Sequence, residues 1–224
     1  MTEIEKVLTE DGSHTLFNSG VREHYHSIHG AIQESMHVFI RAGFSLASER
    51  FDNLSVLEVG FGTGLNALLT LEASTQLKIR TLYTAYEPFP LSLDIASGLN
   101  YTETDLLIGH SSDFITMHKA ADGELMKINP WFLFRKYLCK LQSGLSPESA
   151  FNLVYFDAFS PEVEPELWTP DIFQMIRESM TTGGVLVTYS ARGEVRRILQ
   201  SSGFRVERLP GPPGKREMLR ATAI

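Results

Sequence analysis

Three carboxylates and three glycines in this chain have the types and spacing of a site that binds a ligand and acts on it. Residues 54–64 read Leu-Ser-Val-Leu-Glu-Val-Gly-Phe-Gly-Thr-Gly, an apolar run that ends in Glu58 and is followed by glycine at 60, 62 and 64. Glycine there lets the backbone turn tightly and lets a ligand approach with no Cβ in the way. Glu87 ends a second apolar run, where a carboxylate can accept from the two hydroxyls of a ribose. Asp157 ends a third, Phe-Asn-Leu-Val-Tyr-Phe-Asp. A charge at the end of a buried mid-sheet strand faces a cleft or bears a desolvation cost. An Asp so placed can bind a protonated amine. By binding the ammonium it raises the amine's pKa, which makes it an anchor more than a strong base.

The glycine spacing discriminates between ligands. A dinucleotide fingerprint needs glycine at the first, third and sixth positions, and the sixth here is Leu65. Glu-x-Gly-x-Gly-x-Gly instead fits S-adenosylmethionine (AdoMet), which has no pyrophosphate to seat on a helix N-terminus, so an acidic residue before the turn is tolerated. The expected cofactor residues are Glu58, Gly60, Phe61, Gly62, Thr63, Gly64, Asn66 and Glu87. Asp122, in Ala-Ala-Asp-Gly, is a candidate acceptor for the adenine amine or a turn residue before Gly123, and Asp113 is its competitor if the neighbouring strand lies elsewhere. Phe159 and Trp168 are candidates to flank an acceptor base. Lys215 and Arg216 follow a proline-rich turn and are candidate phosphate contacts. His24, His26 and His29 have a metal-like spacing, but without a nearby Cys or carboxylate pair they read as a polar strand edge, and no metal is expected.

These residues need elements to position them. The pattern predicts a strand at 54–59, a helix at 64–74, a strand at 79–87 stopped by Pro88, and a helix at 91–98. It then predicts a strand at 114–118, an amphipathic helix at 124–143 broken at Pro130, and a strand at 151–157. Thr169 and Pro170 open a helix that runs to 180. Gly183-Gly184 precede a strand at 185–189, and Ser190 caps a helix to about 202. Strands 204–209 and 217–223 flank Pro210-Gly-Pro-Pro-Gly214 and are antiparallel. Such alternation predicts an α/β, Rossmann-like, mostly parallel sheet, and the closing hairpin points to the seven-stranded layout of AdoMet-dependent methyltransferases. Residues 1–50 read as an N-terminal extension packed on the core, with short strands at 15–17 and 24–26 and a helix at 33–46. Residues 51–224 read as the methyltransferase domain.

Composition narrows the class. The chain has 224 residues, 43% of them hydrophobic, enough for one sizeable core. No apolar run approaches the ~20 residues of a membrane span, and the charged Met-Thr-Glu-Ile-Glu-Lys start has no signal-peptide core. The single Cys139 excludes an internal disulfide and fits a reducing cytoplasm. A net charge of −7 argues mildly against nucleic acid, yet residues 192–220 hold eight Arg and Lys against three Glu, a local +5. That segment is a phosphate-contacting edge or a solvated face.

Glu-Val-Gly-Phe-Gly-Thr-Gly-Leu-Asn (58–66), Tyr-Glu-Pro-Phe-Pro-Leu (86–91) and Phe-Asp-Ala-Phe-Ser-Pro-Glu (156–162) resemble the methyltransferase part of the MnmC family. Pro-Glu-Leu-Trp-Thr (165–169), Gly-Glu-Val-Arg-Arg (193–197) and the ending Pro-Gly-Lys-Arg-Glu-Met (213–218) match as well, as do Tyr25-His26-Ser27 and Gln33-Glu34-Ser35. The resemblance implies AdoMet-dependent N-methylation of the 5-aminomethyl group of a tRNA wobble (2-thio)uridine. It implies Gly60, Gly62 and Gly64 at the methionine side of the cofactor, Glu87 at the ribose, Asp122 at the adenine and Asp157 at methyl transfer. The family's bifunctional members carry an FAD-dependent oxidase region with no counterpart here, so no flavin is expected. Two alternatives remain: a methyltransferase of a small amine or protein, and a non-catalytic nucleotide-binding module. A nicotinamide enzyme ranks last because of Leu65.

Overall fold

The computed structural model describes residues 4–145 and 150–224. The charged start at Met1–Glu3 lies outside the described residues. Strands β1 (Ile4–Leu8), β2 (His14–Asn18) and β3 (Glu23–His24) form a small antiparallel sheet. A continuous helical rod follows: α1 (Ala31–Ser35), a π-helical stretch (Met36–Phe44) and α2 (Ser45–Arg50). It outruns the expected 33–46 at both ends.

The large sheet is built from β4 (Asn53–Val59), β5 (Arg80–Tyr86), β6 (Met126–Asn129), β7 (Phe132–Tyr137), β8 (Phe151–Phe156), β9 (Met180–Thr188), β10 (Phe204–Pro210) and β11 (Glu217–Ala223). Its order is β10-β11-β9-β8-β4-β5-β7-β6. Strands β7, β5, β4, β8 and β9 run parallel, and β11 enters antiparallel between β9 and β10. The connecting helices are α3 (Leu65–Leu77), α4 (Leu93–Ser97), α5 (Ser111–Lys119), α6 (Pro170–Glu178) and α7 (Gly193–Ser201).

Alternate residues of the central strands feed two cores. Val56, Tyr83, Leu153, Tyr155 and Val187 face the helical rod, α3 and α5, while Leu57, Val59, Val154, Phe156 and Leu186 face α6 and α7. The rod lies close on its face at Gly43, where a Cβ would stand 2.9 Å from Val187. Glu58 shares its side with Val56, so strand register points its carboxylate into the α3 face.

Five expectations are corrected. Residues 114–118 belong to helix α5, not a strand, because Phe114, Met117 and His118 form a buried stripe at helical spacing. Residues 124–143 are no helix but hold the β6–β7 hairpin, in which Phe132, Phe134 and Lys136 alternate inward. Pro130 sits in its tight turn, where Trp131 N–H donates to Asn129 Oδ1 at 2.8 Å. The hairpin adds an antiparallel edge strand, giving eight strands where seven were expected. Gly183-Gly184 lie inside β9 at a register shift against β8, and α7 starts at Gly193 with Arg192, not Ser190, at its N-cap.

Candidate active site

The carboxyl ends of β4, β5 and β8 open into a cleft of about 1010 Å3. Residues of the small N-terminal sheet and the loop after it, among them Glu23, Tyr25 and Ser27, form its opposite wall. Ligands of doubly wound sheets bind at this end, where β4 and β8 diverge to helices on different faces.

The glycine turn after β4 is strained toward glycine at each step. Gly60, Gly62 and Gly64 have φ of +87°, +49° and +77°. A Cβ on Gly60 would stand 2.8 Å from the Asp157 carbonyl oxygen, and one on Gly62 would stand 3.1 Å from the Tyr25 ring. Gly60 and Gly62 line the cleft. Glu87 locks the turn: its carboxylate accepts from Gly62 N–H and Phe89 N–H, both at 2.8 Å. Burial pushes the Glu87 carboxyl above its usual range, and these two amides pull it back. Each oxygen keeps lone-pair capacity toward the cleft.

Asn66, in the first turn of α3, joins two acids. Its amide donates to Glu58 Oε1 at 3.0 Å and to Asp157 Oδ2 at 2.8 Å. Burial raises both carboxyls well above their ordinary values, and the proximity of each to the other or to Glu34 adds to this. Glu58 is fully buried, whereas Asp157 reaches the cleft. A proton on one acid favours ionisation of the other.

The segment after Asp157 is fixed from four sides. Tyr189 Oη donates to Ala158 O at 2.9 Å, and Trp168 Nε1 donates to Phe159 O at 2.8 Å. Glu164 accepts from Phe159 N–H and Glu23 accepts from Ser160 N–H. Phe159 meets Tyr25 edge-on at 5.0 Å between centroids on the cleft wall.

The remaining sequence candidates separate into supports and outliers. Phe61 is buried beneath the turn, with the Lys136 ammonium 4.8 Å from its ring centre. Thr63 holds the turn to the N-terminal segment through His26 Nε2 at 2.7 Å, and its carbonyl meets His118 Nε2 at 3.1 Å. Burial drops both histidines to about 4. Lys215 lines the cleft, 2.7 Å from Glu34. Trp168 is buried against Phe156 and Phe173, so it buttresses Phe159 and does not line the cleft. Asp122 follows α5 and is exposed. It accepts from Leu138 N–H at 2.7 Å and caps the end of β7 away from the cleft lining. Asp113 is further off, bonded to His110. Arg216 is exposed beside the cleft. The three histidines diverge: His24 packs on Phe17, His26 is buried and His29 meets Glu10.

Sequence reasoning left Tyr25, Glu34 and Lys136 without a role. Glu34 is buried and receives Ser27 N–H as well as Lys215. Lys136 is almost fully buried, donates to the Met117 and His118 carbonyls, and is lowered to about 8 by burial. Its one signal was a lysine on the inward phase of an alternating strand.

Residues 134–224 match a family described as S-adenosyl-L-methionine-dependent methyltransferase. The bifunctional tRNA 5-methylaminomethyl-2-thiouridine biosynthesis protein MnmC of Paracidovorax citrulli is 32% identical, over 92% of this chain and 34% of its own length. MnmC of Idiomarina loihiensis is 28% identical over 87% and 34%. The chain thus spans about a third of the curated relatives it matches. The crystal structure of MNMC2 from Aquifex aeolicus superposes with a TM-score of 0.81 at 27% identity, covering 99% of this chain and 71% of that one. Among the described residues no helix is long and apolar enough to cross a membrane. In its fold and over residues 134–224 this chain is similar to S-adenosyl-L-methionine-dependent methyltransferases, and along most of its length it is similar to about a third of the bifunctional MnmC proteins.

Proposed function

We propose that the chain transfers the AdoMet methyl group to the 5-aminomethyl nitrogen of a tRNA wobble (2-thio)uridine in the cytoplasm. The observation that carries this reading is the meeting of the Gly60–Gly64 turn, Glu87 and Asp157 in one cleft lined by further carboxylates. That lining suits a cationic amine. In the same reading, residues 51–224 are the catalytic unit and residues 1–50 an extension that supplies the opposite wall.

The residues fit AdoMet. A Cβ on Gly60 would press on the Asp157 backbone and one on Gly62 would crowd the Tyr25 ring, so both positions stay bare backbone that a ligand can approach closely. Glu87 presents two oxygens, each with one amide partner and capacity for a ribose hydroxyl. When bound, AdoMet supplies a methyl group on a sulfonium, open to attack by an amine lone pair. Asp157 holds the acceptor ammonium at the cleft floor. Its raised carboxyl makes it a better proton acceptor than an ordinary Asp, so it both anchors the amine and receives the proton that frees the lone pair. Asn66 fixes the direction of that carboxylate. Tyr25 and Phe159 offer aromatic surfaces to the base. Most of the acceleration comes from alignment of donor and acceptor.

The test is transfer of labelled methyl from AdoMet to tRNA from a strain that accumulates the aminomethyl wobble uridine. Label confined to that nucleoside supports the reading. AdoMet binding with labelling of small amines or proteins only, and none of tRNA, contradicts it.

A further inference from the structure

At Ser160, Tyr189 and Lys215 the cleft continues into a shallower groove of about 410 Å3. The two spaces differ in charge. Glu23, Glu34, Glu87, Asp157, Glu164 and Glu166 line the main cleft, against two lysines, Lys140 and Lys215. Arg192, Lys215 and Arg216 line the outer groove, against Glu217. Glu217 is already held by Arg208 at 3.3 Å.

Lys215 stands at the border. Its ammonium is 2.7 Å from Glu34 and 4.0 Å from the centre of the Tyr189 ring, so it is committed to the cleft. Arg216 is exposed and, among the described residues, has no carboxylate partner. Arg192 meets Glu162, and both side chains are about half exposed. An exposed pair of this kind yields readily to a competing anion. Two guanidiniums at the lip of an acidic cleft suit a ligand that carries a cation at one point and an anion a short distance away. Guanidinium forks match phosphate oxygens. A free amine metabolite would leave the groove unused.

We propose that the Arg192–Arg216 groove binds the backbone phosphate next to the target nucleoside, so that the acceptor is taken as part of a polynucleotide and not as a free nucleoside. This rests on the methyltransferase reading above. Glu162 then acts as a counter-charge that the phosphate displaces from Arg192.

The experiment measures methyl transfer by the full chain to two acceptors: tRNA carrying 5-aminomethyl wobble uridines, and the free 5-aminomethyl-2-thiouridine nucleoside. Wild type, the double variant Arg192→Gln/Arg216→Gln, and Glu162→Gln are compared across salt concentrations, with AdoMet affinity as the check on folding. The double variant is expected to raise KM for tRNA roughly tenfold, with a smaller change in kcat. It should also flatten the slope of log KM against log salt by about 0.7, the value for the one single-strand phosphate charge that the protein no longer neutralises. Glu162→Gln is expected to lower KM for tRNA. Wild type is expected to use the free nucleoside far less well than tRNA. A double variant with wild-type KM and salt slope overturns the groove and leaves the activity standing, as does a nucleoside used as well as tRNA. A wild type that binds AdoMet and methylates no tRNA overturns the activity reading, and the inference with it.

Discussion

The Asn66 side-chain amide donates to Asp157 at 2.8 Å, tying the first turn of α3 to the residue that ends β8. The same nitrogen reaches Glu58 at 3.0 Å. This bond favours the ionised form of Asp157 against the burial that opposes it. Asn66→Ala removes it, so the Asp157 carboxyl rises further. If ionised Asp157 is the working form, the acidic limb of the kcat/KM profile moves toward higher pH and the plateau falls about 10²-fold, in the range of lost positioning. A pH–rate series on wild type and variant checks this; a lower plateau with an unmoved acidic limb refutes the electrostatic role.

Gly60→Ala places a methyl group 2.8 Å from the Asp157 carbonyl oxygen at a φ of +87°. The backbone has to shift or bear strain of about 1–3 kcal/mol. Both the glycine turn and the Asp157 segment are displaced. We expect AdoMet affinity to fall more than tenfold by calorimetry, together with a lower Tm.

Glu87→Gln keeps one acceptor oxygen but turns an NH2 toward a backbone N–H, either Gly62 or Phe89. It also loses a charged partner for the ribose. Charge-assisted bonds are about twice as strong as neutral ones, so AdoMet affinity should fall by roughly 10- to 100-fold. Retention of wild-type affinity would remove Glu87 from the cofactor site.

His118 links pH to stability. It is buried, has no carboxylate partner among the described residues, and stays neutral down to about 4, against 6.5 for a free histidine. The unfolded chain therefore binds a proton in that window that the folded chain does not. Its contribution is complete above about 6.5 and is lost as pH falls through 4, to a limit of about 3 kcal/mol. Asp157 and Glu87 are shifted upward and act in the opposite sense, gaining stability as pH falls. Comparison with His118→Gln isolates the histidine. The stability gap between wild type and variant, measured by urea unfolding, should narrow from pH 7.5 to pH 4.5.

The strand–turn–helix at 53–77 was legible because alternate glycines after an apolar run have few other uses. Asp157 was legible because a charge closed the most apolar strand of the chain. The stretch 111–137 was not. Phe132, Leu133, Tyr137 and Leu138 fit a helical face as well as a strand, and only pairing with β5 selects the strand. Misplacing that strand also displaced Asp122, which caps a strand end. The bond from Asn66 to Asp157 joins residues 91 positions apart, and the pairing of Glu34 with Lys215 spans 181 positions. Such contacts are set by topology, and no local pattern carries them.

The most direct test of the account is methyl transfer from labelled AdoMet to tRNA bearing the 5-aminomethyl wobble uridine, with wild type and Asp157→Asn side by side and AdoMet affinity measured for both. The account predicts label in that nucleoside with wild type, a loss of at least about 10²-fold in kcat with the variant, and near-equal AdoMet affinity. A variant as active as wild type would remove Asp157 from the reaction, and a wild type that binds AdoMet but leaves the tRNA unlabelled would contradict the assigned acceptor.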